Sequence, residues 1–90
     1  MRSTSCVTTA LATFLFVSQA PQSEFATNPA RTRELVRETA ARLGPDDAVK
    51  EAAYEYGRHP ETAAAHMRAC LRAVESAHFE TVPASLAVTR

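Results

Sequence analysis

A mainly α-helical chain is predicted by three features of the sequence. Capping residues stand ahead of each periodic segment, apolar residues return at three- and four-residue spacing, and both glycines, Gly44 and Gly57, fall where helices should stop. The arrangement expected is three short helices after an apolar leader, ending in a lone strand. It divides into a leader over residues 1–20, a linker over 21–28, a helical segment over 29–83 and a terminal strand over 84–90.

Arg2 is the only charge before Glu24, and the run CVTTALATFLFV is apolar but shorter than the roughly 20 residues that cross a bilayer. Ser18 and Ala20 supply a small-x-small exit near Pro21. A basic start, an apolar core and that exit make a cleaved secretory leader. The same stretch lacks acids and is rich in Ser and Thr, as mitochondrial presequences are, and it also suits an ordinary buried helix. Residues 22–27 are polar and lack periodicity, which predicts a linker.

The spacing predicts a first helix over 29–43. Thr27 or Asn28 can cap it, and Pro29 suits its first position, where a missing N–H costs nothing. Leu35, Val36, Thr39, Ala40 and Leu43 form the inner face, and Glu38 can pair with Arg42 one turn on. Gly44 and Pro45 should end it, the glycine in a left-handed cap and the proline by blocking continuation. A second helix is expected over 47–56, capped by Asp46, with Val49, Ala52, Ala53 and Tyr56 as its apolar stripe and Gly57 as its stop. Pro60 and Glu61 open a third, over 60–78, in which Ala63, Met67, Cys70, Leu71, Val74 and Ala77 repeat at helical spacing. The three are expected to pack as a loose antiparallel set through Leu35, Leu43, Val49, Met67, Leu71 and Val74. After Pro83 the run ASLAVTR alternates and is expected to be extended. A strand needs a partner for its backbone groups, so 84–90 is expected to be the first strand of a further domain, the edge of an intermolecular sheet, or a tail.

Composition narrows the functions. Lys and Arg balance Asp and Glu at a net charge of zero, so no long-range field draws in nucleic acid or an anionic membrane. His66 and Cys70 are four apart and share a helix face, but a structural zinc site needs four ligands, so no metal is expected. Cys70 lies on the apolar stripe and reads as a small hydrophobe. His59 and His78 fall at helix ends. Asp46 and Asp47 suit the start of a helix better than acid–base work. Tyr54 and Tyr56 should point to different sides, one packed and one exposed. No glycine-rich phosphate loop and no supported Ser-His-Asp set is present.

One stretch resembles a known family. Tyr54-Glu55-Tyr56, Glu61, then His66, Met67, Leu71, Arg72 and Glu75, and finally the run from Leu86 to Thr89 are similar to a portion of proline dehydrogenases of the eukaryotic, mitochondrial type. The resemblance covers 54–90. Ala63 and Ala64 replace the family's Cys-Asp pair, the loop after Tyr56 is longer by about one residue, and Arg90 stands near the place of an active-site lysine. The resemblance implies FAD in a (β/α) barrel, oxidation of L-proline to pyrroline-5-carboxylate, quinone as electron acceptor and a mitochondrial location. It also implies that this chain holds only the helices ahead of such a barrel and its first strand, and neither binds flavin nor turns over proline alone. The rival expectation is a small exported helical protein, cleaved near Ala20, that works as a binding module. A third is a subunit whose strand joins a partner's sheet.

Overall fold

The computed structural model describes residues 6–77, so the expected strand over 84–90 lies outside them, as do His78 and Arg90. Among the described residues there is no strand; five helices follow one another as α1 Cys6–Val17, α2 Gln22–Phe25, α3 Pro29–Arg42, α4 Pro45–Arg58 and α5 Pro60–Ala77.

The apolar run at the start becomes α1, which lies against α3, α4 and α5. Leu11, Ala12, Phe14, Leu15, Phe16 and Val17 are all buried, so the helical core is not confined to the expected 29–83 segment. A helix that is apolar on every side has no face to offer water, and here the other helices close around it. Thr13 sits in this run without an orphaned hydroxyl, because its Oγ1 donates to the Thr9 carbonyl at 2.9 Å. At the end of α1 the Ser18 N–H donates to the Phe14 carbonyl at 3.0 Å and the Ser18 hydroxyl to the Leu15 carbonyl at 2.6 Å. Gln19 then takes φ 65°, the left-handed turn that usually falls to glycine after a helix.

The expected linker is instead anchored. Phe25, the one large apolar residue in it, is buried at the end of the single turn α2. The Thr32 hydroxyl donates to the Phe25 carbonyl at 3.1 Å, and Arg31 pairs with both Glu24 at 2.8 Å and Glu34 at 3.0 Å, tying α2 to α3. Arg58 also pairs with Glu55 at 3.7 Å, while among the described residues the expected Glu38–Arg42 pair does not form.

Asn28 caps α3 as its sequence indicates, its side-chain oxygen accepting from the Arg31 N–H at 3.1 Å. Thr32, Leu35, Val36 and Thr39 make the buried face, with Ala40 and Leu43 at its margin. The junction to α4 is tighter than expected. Gly44 has φ −76° and is extended, so it is no left-handed cap; it is the N-cap of α4, Pro45 is the first helical residue, and Asp46 and Asp47 both fall in the first turn. Proline forces the residue before it out of helical geometry, which breaks α3 from α4 with no spare linker.

α4 corrects the expected stripe. Its buried residues are Ala48 and Ala52, whereas Val49 is 58% exposed and Ala53 lies outside with it. Small residues let the backbone of α4 approach the bulky side chains of α1. Gly57 does not stop the helix; α4 continues to Arg58, and His59 caps it with an N–H donated to the Glu55 carbonyl at 2.8 Å. α5 buries Ala63, Ala69, Cys70, Ala73, Val74 and Ala77, with Met67 and Leu71 at the edge. Arg33 Nη1 donates to the Ala77 carbonyl at 2.7 Å, tying α3 to α5. The centre of the core is therefore Phe14, Leu15, Phe25 and Val36, with Leu35 and Val74 beside them and Val49 outside.

Candidate functional site

Two adjoining hollows lie where the end of α1 meets α4 and the start of α5. The larger, of about 370 Å³, has Phe16 and Val17 on one side and Lys50, Glu51 and Tyr54 of α4 on the other. The smaller, of about 210 Å³, is closed by His59, Thr62, Ala63 and His66. Phe16, Gln19 and Glu55 border both. The turn at Gln19 is what places its side chain between them, since it reverses the chain as it leaves α1.

His66 is half-buried in the wall of the smaller hollow. Its ring centroid is 5.1 Å from Phe16 of α1 and 6.2 Å from Phe25 of α2, so one α5 side chain joins two other elements. Its Nε2 is buried and has no hydrogen-bond partner. Burial lowers the imidazole pKa from its usual value. Tyr56 lies nearly parallel to the other approach of Phe16, with centroids 6.0 Å apart, yet it remains 38% exposed. Tyr54 is 65% exposed, beneath the Arg58 guanidinium at 5.4 Å. The two tyrosines thus point to different sides as expected, Tyr56 packed on Phe16 and Tyr54 exposed.

Cys70 is fully buried, and burial pushes its thiol up to about 12. A thiol that stays protonated at neutral pH is neither nucleophile nor ready metal ligand. Among the described residues no three His, Cys, Asp or Glu side chains come together to hold a metal ion. His59 is exposed at the α4–α5 junction, and Asp46 and Asp47 stand exposed at the start of α4. The arrangement can grip an apolar or aromatic group between Phe16 and Tyr54; it holds no nucleophile activated by a base.

Phe16, Gln19 and Phe25 are the members that the sequence reading assigned elsewhere, to a leader and a linker. Phe25 carried a signal: a lone aromatic in a polar stretch, seven residues ahead of Thr32 in the next helix. Among the described residues no helix is long and apolar enough to cross a membrane. The chain matches no protein-family model, no curated protein and no solved structure.

Proposed function

We propose that this chain is the helical lead-in of an FAD-dependent proline dehydrogenase of the eukaryotic, mitochondrial type, and that its own part in that enzyme is structural. The observation that supports the reading is how the resembling residues are used. Tyr56 and His66 pack on Phe16, and Met67 and Leu71 close the edge of the core. They hold α1 in place and leave flavin, L-proline and quinone to residues outside this chain. Arg90, near the family's lysine, is the one resembling position that would approach the reacting centre, and it lies outside the described residues.

The transcript beyond the Arg90 codon tests this directly. A continuation as Thr-Ala-Leu-Gly followed by further strand–helix units is expected, and a stop codon there removes the reading. The purified 90-residue chain is expected to show no flavin absorbance band and no proline-dependent dye reduction.

A second reading, a small exported binding module, is favoured by exposed Val49 and by exposed Tyr54, which lines the larger hollow. Exported material beginning at Pro21 would support it. Such processing takes away α1, on which α3, α4 and α5 close, so the mature module would need another apolar helix in its place.

A further inference from the structure

We propose that His66 is a pH-sensitive latch: its neutral ring, wedged between Phe16 and Phe25, holds α1 and α2 onto α5, and protonation releases them. The geometry is specific. The ring touches two elements besides its own, and its Nε2 is enclosed with no acceptor in reach. A neutral imidazole can leave that nitrogen as an unprotonated lone pair. An imidazolium must carry a proton on both nitrogens, so the buried Nε2 becomes a charged donor without a partner. The faces of Phe16 and Phe25 return part of the cost through their π electrons, but neither accepts a full hydrogen bond.

Neighbouring charges do not relieve it. From α4, Glu55 borders the same hollow but is paired with Arg58 at 3.7 Å, and Tyr56 lies against Phe16. α1 contributes Phe16 and the turn after it Gln19, and neither carries a charge. In α2, Glu24 is exposed and paired with Arg31 of α3, whose other partner is Glu34. His59 borders the hollow from the α4–α5 junction and is exposed.

The sign follows from linkage. Burial lowers the folded-state pKa of His66, so between that value and the ordinary one near 6.5 the open state binds more protons than the closed one. The latch is fully closed above the ordinary value and loses stability as pH falls towards the folded-state value.

Cys70, one turn further along α5 and fully buried, reports the opening. In a Cys6→Ser background it is the only thiol, and its modification by a dithiodipyridine reagent measures exposure in acid. The opening equilibrium is expected to rise by up to about tenfold per pH unit below pH 6.5, the limit for one proton. His66→Phe should flatten that dependence. The imidazole proton signals of the parent chain should place the His66 midpoint below the ordinary histidine value near 6.5. Equal acid dependence in parent and His66→Phe, or a His66 midpoint at or above the ordinary histidine value, overturns the latch. Should His66→Phe fail to fold, His66→Gln and the parent midpoint decide it by the same criteria.

Discussion

α1 and α4 lie against each other and contribute in opposite ways. α1 supplies volume: Phe14, Leu15, Phe16 and Val17 are all buried. α4 supplies closeness: only Ala48 and Ala52 are buried, while Val49 and Tyr54 face outward. One helix has the bulk and the other makes room for it. Helix amphipathicity alone would have placed the valine inside, but the inner face is chosen by what stands opposite. A partner as bulky as α1 is best met by small side chains, because cores are packed to near-crystalline density and tolerate neither gaps nor overlap.

The largest test of that asymmetry is Phe14→Ala. Phe14 is 1% exposed, and removing a buried ring costs about 3–5 kcal/mol through lost transfer free energy and the cavity left behind. A domain of this size has a total stability of roughly 5–15 kcal/mol, so denaturant unfolding followed by far-UV circular dichroism should show a large loss or an unfolded chain. A cost near zero would mean that α1 is not the centre of the core. Ala52→Leu probes the other side of the seam. Three added carbons have no space on the inner face of α4, and overpacking should cost about 1–3 kcal/mol in the same assay. Stabilisation by that change would show a void where the structure has contact. Val49→Ala is the smallest and most discriminating. At 58% exposure it should change stability by no more than about 0.5 kcal/mol, whereas a valine on the expected inner stripe would cost more.

The acid response proposed for His66 sharpens the same comparison, since its ring contacts α1 and α2, and Tyr56 of α4 meets Phe16 beside it. If opening starts there, Phe16 loosens before the alanine contacts of α4 do.

Legibility in the sequence varied with how local the cause was. Asn28, Pro29 and Pro60 marked helix starts that the structure keeps, and the inner face of α3 was read correctly from Leu35, Val36 and Thr39. Gly44 and Gly57 misled, because a glycine permits a stop without requiring one; Pro45 and the His59-Pro60 pair set the actual breaks. The hollow bordered by Phe16, Gln19 and His66 was not legible at all. Its walls come from α1, α4 and α5, and nothing near His66 in the chain announces that Phe16 and Phe25 will flank it.

What the sequence determined by itself is that residues 29–77 are helical and roughly where each helix begins, because caps, proline geometry and 3.6-residue periodicity act within a turn or two. Only the tertiary structure decided that the apolar run at the start is the central helix, that Phe25 pins the supposed linker, and that α4 turns its alanines inward. Burial is a property of pairs of surfaces distant along the chain, and no window of sequence holds both members of such a pair.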